Sequence, residues 1–164
     1  MFFKLIARIQ FLLTSTNQHG VHSPFVFDFV TKGLYPKSAK FEHHKVHITA
    51  KNLSKKELKI LQKIGAYFEV EHVYTHQKEL ENSLNSDYKI LFINDIENFY
   101  LNDSFSAMPK LCLVFHRIHR KLKAQQQWKS ICENKQATVT IDLYYFGLVF
   151  FRKEQEKEHF KIRV

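Results

Sequence analysis

Two short, nearly continuous apolar runs limit the folds that this chain can adopt. The segments YKILFIND (88–95) and KLCLVF (110–115) are apolar along most of their length. Such runs are typical of central parallel strands that are buried on both faces, with their loops at the carboxyl ends. Further strand patterns lie at 71–76, 138–144 and 147–151. The chain is therefore predicted to build a mixed sheet of about five strands.

Helical patterns alternate with these strands. Apolar residues recur at helical spacing in 77–85 and 120–134, and Ser54 followed by Glu57 forms a capping-box start for a further helix. Alternating strands and helices predict an α/β fold with a parallel centre and helices on both faces. The last two strands are predicted to form an antiparallel hairpin at the sheet edge, with a tight turn at Phe146-Gly147.

The first part of the chain is predicted to be a helical segment and linker, 1–50, followed by the α/β domain at 51–164. Ser23 is placed to cap a short helix that follows it. A longer amphipathic helix begins the chain, with Lys4 and Arg8 on its polar side. Its apolar face contains Phe2, Leu5, Ile6, Ile9, Leu12 and Leu13. We expect this face to pack on the domain, and docking on a membrane surface is the alternative.

Charge and composition restrict the partners and the location. The 164 residues include 25 Lys and Arg against 16 Asp and Glu, which gives a net charge of +9 and favours anionic partners. Cys112 and Cys132 lie in apolar runs and predict no disulfide framework. No apolar run approaches the roughly 18 residues of a membrane span, and no secretion signal is evident. A cytoplasmic location is the resulting expectation.

Two long stretches resemble one known family. HGVHSPFVFDFVTKGLY (19–35) is similar to the opening, and WKSICENKQATVTIDLYYFGLVFFRKEQEKEHFKIRV (128–164) to the end, of bacterial class I S-adenosylmethionine-dependent methyltransferase-like proteins that are well represented in Bacteroidetes. The resemblance implies a Rossmann-like sheet that ends in an antiparallel hairpin. It also implies S-adenosylmethionine as the cofactor and methyl transfer as the activity.

The middle of the chain departs from that family. The resemblance implies a glycine-rich loop after the first strand, because glycine lets the backbone approach the cofactor. No glycine occurs between Ala66 and Phe146, and the family's next strand, with its acidic end, is missing. The implied pocket is reduced to the vestigial candidates Asn94, Asp95, His116 and Arg117. The His116-Arg117 pair replaces two acids, so no catalytic residue and no metal ligand is assigned.

A basic run follows the strand at 110–115. Its sequence HRIHRKLK lies at the carboxyl end of a predicted parallel strand, where α/β sheets bind ligands. A solvated helix start is the plain interpretation. The functional interpretation is an anion site formed by Arg117, His119, Arg120 and Lys121. Histidines at 43, 44 and 47 are interpreted as a loop rather than a metal site, because spacing alone is a weak signal.

These observations lead to three hypotheses about function. The first is a shortened, degenerate methyltransferase-like protein that binds no cofactor and acts as an interaction or scaffold module. The second is an active methyltransferase with an altered pocket that uses S-adenosylmethionine. The third is a basic protein that binds nucleic acid or another anion. Loss of strands is expected to expose a sheet edge beside 71–76, which residues 1–35, a protein partner or a second copy would cover.

Overall fold

The computed structural model describes residues 2–37, 44–81 and 87–164. Its α-helices are α1 (Phe2–Thr14), α2 (Pro24–Asp28), α3 (Lys55–Tyr67), α4 (Gln77–Glu81), α5 (Asp103–Ser106) and α6 (Leu122–Glu133), and a π-helical turn, Phe29–Leu34, continues α2. Its strands are β1 (His47–Ile48), β2 (His72–Tyr74), β3 (Lys89–Ile93), β4 (Leu111–His116), β5 (Val139–Asp142), β6 (Phe146–Phe150) and β7 (Glu158–Lys161). The predicted helix at 77–85 is seen as α4, and its last predicted turn lies outside the described residues. Among the described residues, no helix is both long and apolar enough to cross a membrane.

All seven strands form one sheet in the order β1-β2-β3-β4-β6-β5-β7. The strands β1 to β4 are mutually parallel, whereas β6 runs antiparallel to both β4 and β5. The α/β class, the parallel centre and the antiparallel hairpin are therefore confirmed. The prediction of about five strands is wrong, because it missed both edges of the sheet.

Each missed strand is short and carries little apolar signal. The two residues of β1 pair with β2, and β7 pairs with β5 through a charged tail in which Phe160 is the buried residue. Neither residues 1–35 nor a second copy was needed beside β2, since β1 lies there. The hairpin is also not at the edge, because β7 lies outside it. Pairing with neighbouring strands, rather than local pattern, makes these segments strands.

The hairpin turn lies at residues 143–145, upstream of the predicted Phe146-Gly147 turn. Tyr144 adopts the left-handed backbone conformation with φ 69°, whereas Gly147 lies within β6 opposite Asp142. The glycine serves close packing instead of chain reversal. A Cβ at position 147 would lie 2.6 Å from the Trp128 ring, so only glycine lets α6 pack this closely on β6.

Alternate side chains of the buried strands supply two cores, one on each face of the sheet. Along β4, Cys112 and Val114 pack with α2 and α3, while Leu113 and Phe115 pack with α5 and α6. The prediction of helices on both faces is confirmed. Ser23 caps α2 by accepting from the Val26 amide, also as predicted. This arrangement fixes the carboxyl ends of β3 and β4 beside the start of α3.

The expected packing of the α1 apolar face is wrong. Ala7 and Phe11 are buried, but the long aliphatic side chains on the other side of the helix are exposed. The exposed fractions are 57% for Leu5, 51% for Ile6, 48% for Ile9, 47% for Leu12 and 80% for Leu13. The Phe2 side chain lies outside the described part. The helix contacts the domain through its narrow Ala7–Phe11 stripe, so most of its apolar surface remains unburied.

Candidate functional site

The carboxyl ends of β3 and β4 meet the amino end of α3 in a buried hydrogen-bond network. The His116 ring places Nδ1 3.0 Å from Asn94 Oδ1 and Nε2 3.1 Å from Glu57 Oε1. The side chain of His116 is fully buried, and that of Glu57 is 6% exposed. Glu57 also accepts a 2.7 Å hydrogen bond from the Ser54 amide, while its own amide donates to Ser54 Oγ, which completes the predicted capping box.

The pKa shifts identify the charge states in this network. Burial would raise the pKa of Glu57, but hydrogen bonds from Ser54 and His116 outweigh burial and place it below its usual value. Burial lowers the pKa of His116, the nearby Arg117 and Arg120 lower it further, and Glu57 only partly compensates. A neutral His116 therefore donates from Nε2 to the Glu57 carboxylate. Its Nδ1 must then accept, which requires the amide NH2 of Asn94 to face the ring.

Arg117 connects this network to the hairpin turn. Its amide donates a 2.7 Å hydrogen bond to the Tyr145 carbonyl, and its guanidinium donates to the Asn52 carbonyl at 2.8 Å. Its Nε lies 3.6 Å from Glu57 Oε1. Arg117 has φ 54°, a left-handed conformation that costs energy for a residue with a side chain. Backbone strain of this kind is concentrated at functional sites, so its presence beside the network supports a role there.

All four vestigial pocket candidates, Asn94, Asp95, His116 and Arg117, line one pocket of about 420 Å³. The Asp95 carboxylate instead holds the following turn, since it accepts from the Glu97 amide at 3.2 Å and from the Asn98 side chain at 2.6 Å. Asp95 therefore has a local structural task and stands apart from the His116 network.

The basic run divides between two neighbouring pockets. Arg117, His119 and Arg120 line a second pocket of about 410 Å³, whereas Lys121 faces the Asn94 side and pairs with Glu97 at 3.4 Å. His119 is buried rather than solvated, and its Nε2 lies 2.7 Å from Asp142 Oδ2. The ring stacks on Tyr144 with centroids 5.4 Å apart. Three members of the predicted anion site thus share one pocket, and the fourth does not.

Sequence reasoning missed half of this second pocket, which we name the α1 pocket. Its other lining residues are Lys4, Leu5 and Arg8 of α1, Glu57, and the turn residues Tyr144 and Tyr145. The Arg8 guanidinium lies 5.8 Å from the centre of the Tyr144 ring, within cation–π range. The available signal was the spacing of Lys4 and Arg8, which puts two cations on one side of a helix. Nothing in the sequence indicated that Lys4 and Arg8 pack beside HRIHRKLK, because the two segments are far apart in the chain.

Comparison with models of protein families, with curated proteins and with solved structures gives no match to this chain. The resemblance to methyltransferases accordingly stays a prediction.

Histidine clusters do not assemble a metal centre in the described ranges. No group of three or more His, Cys, Asp or Glu side chains there is placed to hold a metal ion. His44 contacts the Val70 carbonyl at 2.9 Å, and the His47 ring packs against His72. His43 lies outside the described residues. His116 and His119 each contact a different carboxylate, so their spacing in the sequence does not bring them to a common ligand.

We expect acid to weaken the fold through His116. Because its folded pKa lies below the unfolded value of 6.5, the unfolded chain takes up the proton first. The stability is then complete above pH 6.5 and falls as the pH drops toward the folded pKa, by at most about 1.4 kcal/mol per pH unit for one histidine. His159, whose pKa is also lowered chiefly by burial, adds to the same trend.

Urea denaturation between about pH 7.5 and about pH 5.5 measures this effect. The stability advantage of the wild type over His116→Gln should shrink as the pH falls, since the variant lacks the titrating ring. The cost of Val114→Ala, a buried change on the same strand, should stay constant, because neither side chain titrates. A pH-independent cost of His116→Gln would contradict the neutral, buried state of the ring.

Proposed function

We propose that this protein is a non-catalytic anion-binding module on a methyltransferase-like α/β frame. It would bind no S-adenosylmethionine and transfer no methyl group. The observation that carries the proposal is the convergence of basic side chains from α1 and from the end of β4 on the α1 pocket. The pocket is lined by Lys4, Arg8, Arg117, Arg120 and His119.

The charge balance of the α1 pocket favours an anionic ligand. Four Lys and Arg side chains line it, against one carboxylate, that of Glu57, among the residues described. Glu57 is already engaged by Ser54 and His116, and Arg117 is already held by the Asn52 carbonyl. In the described part of the chain, Lys4, Arg8 and Arg120 have no carboxylate partner. These three cations are therefore free to pair with a phosphate or carboxylate group.

The aromatic wall suggests the shape of the ligand. Tyr144 and Tyr145 line the pocket beside the cations, and their rings meet edge to face with centroids 5.3 Å apart. Such a wall can pack against the apolar or planar part of a ligand while the cations hold its charge. A small phosphorylated or carboxylated organic molecule has this combination.

The residues after β2 do not fit the nucleoside-sulfonium cofactor that the resemblance implies. Only Thr75 and His76 separate β2 from α4, and neither is glycine. A backbone that approaches a nucleoside closely needs glycine and a helix amino end, whereas α4 has five residues. At the ends of β3 and β4, the His116 side chain is already bonded to Asn94 and to Glu57 of α3. These features support the non-catalytic interpretation over an active enzyme.

Calorimetric titration tests the proposal with two probes, pyrophosphate and S-adenosylmethionine. We expect pyrophosphate to bind the wild type, and Arg8→Gln and Arg120→Gln each to weaken its binding by about tenfold, the worth of a charge-assisted hydrogen bond. Lys110→Gln, an exposed change at the amino end of β4, is the matched control and should bind normally. Equal affinity in all four proteins would refute an anion site in this pocket.

Two other outcomes separate the alternatives. Low-micromolar binding of S-adenosylmethionine, or methyl transfer from labelled cofactor, would overturn the non-catalytic assignment in favour of the enzyme. Tight binding of mixed oligonucleotides that falls steeply with salt, without any response to pyrophosphate, would favour a nucleic-acid-binding protein instead. The net charge of +9 is the observation that favours nucleic-acid binding as the second candidate function.

A further inference from the structure

We infer that α1 docks this protein on an anionic membrane surface, with the helix lying in the plane of the interface. This inference goes beyond the anion pocket and does not depend on it. It is carried by the apolar face that α1 turns to solvent and by the distribution of charge around that face.

The described side chains of the exposed α1 face are all aliphatic and form a broad, continuous stripe. With about 100° of rotation per residue, Leu12, Leu5, Ile9, Leu13 and Ile6 occupy one arc of about 120°. Ala7 and Phe11, which hold the helix to the domain, lie on the opposite side. The arc is therefore presented outward along the helix, and its members are 47–80% exposed. A single exposed leucine is ordinary, but a contiguous stripe of five marks a surface that another phase or molecule covers.

The charges around the stripe match an anionic interface. Arg8 borders the arc beside Leu12, and Lys4 lies further round on the same side, between Arg8 and the buried Phe11. No acidic residue precedes Asp28 in the chain. Interfacial helices combine an aliphatic face with basic flanks in this way, because the cations meet the headgroups while the aliphatic side chains enter the acyl boundary. With 13 residues, α1 is suited to lie on a bilayer rather than to cross it.

A second copy of the chain is a poorer occupant of the same stripe. Self-association through α1 would bring together two helices that carry cations and no acid, each on a domain with net charge +9. Like charges at such an interface oppose association, whereas anionic lipid relieves the same repulsion. The charge distribution therefore selects the membrane surface over a homodimer.

Flotation with lipid vesicles tests the inference on the full chain. The wild type should bind vesicles of phosphatidylcholine with phosphatidylglycerol and should bind pure phosphatidylcholine much more weakly. The triple variant Ile6→Gln, Ile9→Gln, Leu13→Gln should lose at least about tenfold in affinity, because the apolar area that enters the bilayer is gone. These positions are exposed and lie outside the α1 pocket, so the variant should fold normally and keep its response to pyrophosphate.

Matched controls separate this effect from general hydrophobicity. Leu122→Gln and Tyr100→Gln remove apolar side chains that are 58% and 78% exposed elsewhere, and they should bind vesicles like the wild type. Lys4→Gln and Arg8→Gln should each weaken binding to the anionic vesicles by about fivefold. Equal binding to neutral and anionic vesicles, or unchanged binding of the triple variant, would overturn the inference.

A fluorescent reporter gives an independent readout. The single native tryptophan, Trp128, is 4% exposed, so it supplies a constant background. A tryptophan placed by Ile9→Trp should shift to shorter wavelength with anionic vesicles and should be quenched by brominated acyl chains. A wild type that dimerises in solution, with a triple variant that is monomeric and with no quenching of the reporter, would assign the stripe to a second copy and overturn the membrane assignment.

Discussion

Replacing Asp142 by alanine is expected to lower the free energy of unfolding by about 3–5 kcal/mol, because the His119 ring and the Tyr144 amide lose their shared acceptor together. Asp142 is 1% exposed, and Oδ2 lies 2.7 Å from His119 Nε2. Its Oδ1 accepts a 2.8 Å hydrogen bond from the Tyr144 amide, which supports the left-handed turn residue. One carboxylate thus holds the end of β5, the hairpin turn and a wall of the α1 pocket.

The hydrogen bonding of His119 explains the size of the stability loss expected for Asp142→Ala. Its Nδ1 is buried and has no hydrogen-bond partner among the described residues. Without Asp142 both ring nitrogens would be unsatisfied in a mostly buried ring, and the Tyr144 amide would lose its acceptor as well. Each buried polar group that loses its partner costs about 1–3 kcal/mol.

Asp142→Asn is the matched comparison. Its amide oxygen can still accept from Tyr144, but its NH2 faces His119 Nε2, so the ring must place its proton on the unpartnered Nδ1. We expect a smaller loss of about 1–3 kcal/mol in urea denaturation. In a double-mutant cycle, His119→Ala should remove much of the cost of Asp142→Ala. A cost of Asp142→Ala that is the same with and without His119 would contradict the pair.

The sequence correctly predicted the elements that are determined by residues lying close together in the chain. Ser54 and Glu57 form the capping box that their spacing predicts, and Ser23 caps α2. The apolar runs became β3 and β4 because a strand buried on both faces requires apolar side chains on both. In these cases the residues that determine the structure are neighbours in the chain.

Features that depend on distant residues could not be predicted in the same way. Local pattern suggested a turn at Gly147, but the actual constraint there is the Trp128 ring. Strand β1 exists because β2 offers it a parallel partner. The α1 helix was correctly predicted as amphipathic, yet its two sides were assigned the wrong environments, since periodicity identifies an apolar face without identifying what covers it.

The candidate site shows the same division. Asn94, Asp95, His116 and Arg117 were placed together because the ends of adjacent parallel strands share one edge of the sheet. Glu57 was predicted only as half of a capping box, although it also bonds to the buried His116 ring. Sequence spacing gave no indication of this second contact, because residues 57 and 116 meet only when α3 packs over the end of β4.

Glu57 therefore gives the second large prediction, in which alanine and glutamine should behave very differently. Glu57→Ala removes the acceptor of the Ser54 amide and the partner of His116 Nε2 together. We expect it to cost about 2–5 kcal/mol, since an N-cap contact is lost and a buried donor is left unpaired. Urea denaturation near neutral pH measures the loss.

Glu57→Gln should cost less than about 1 kcal/mol, because a neutral network with every partner satisfied is available to it. Glutamine completes a capping box as glutamate does, through its oxygen. Its NH2 can donate to His116 Nε2, and the ring then donates from Nδ1 to Asn94 Oδ1. Similar losses for alanine and glutamine would show that the charge of Glu57, rather than its hydrogen bonds, holds this corner.

The pH dependence of stability separates the contribution of the Glu57 charge from that of its hydrogen bonds. Because the folded pKa of Glu57 lies below its ordinary value of 4.5, its ionised form adds stability that is present above that pH and disappears as the pH falls through the folded pKa. The stability difference between wild type and Glu57→Gln should therefore move in favour of the glutamine variant in acid.

Among the described residues, Glu57 is also the one acid that lines the α1 pocket. Glu57→Gln should accordingly bind pyrophosphate more tightly than the wild type, because the variant keeps the cations and removes the charge that opposes the anion.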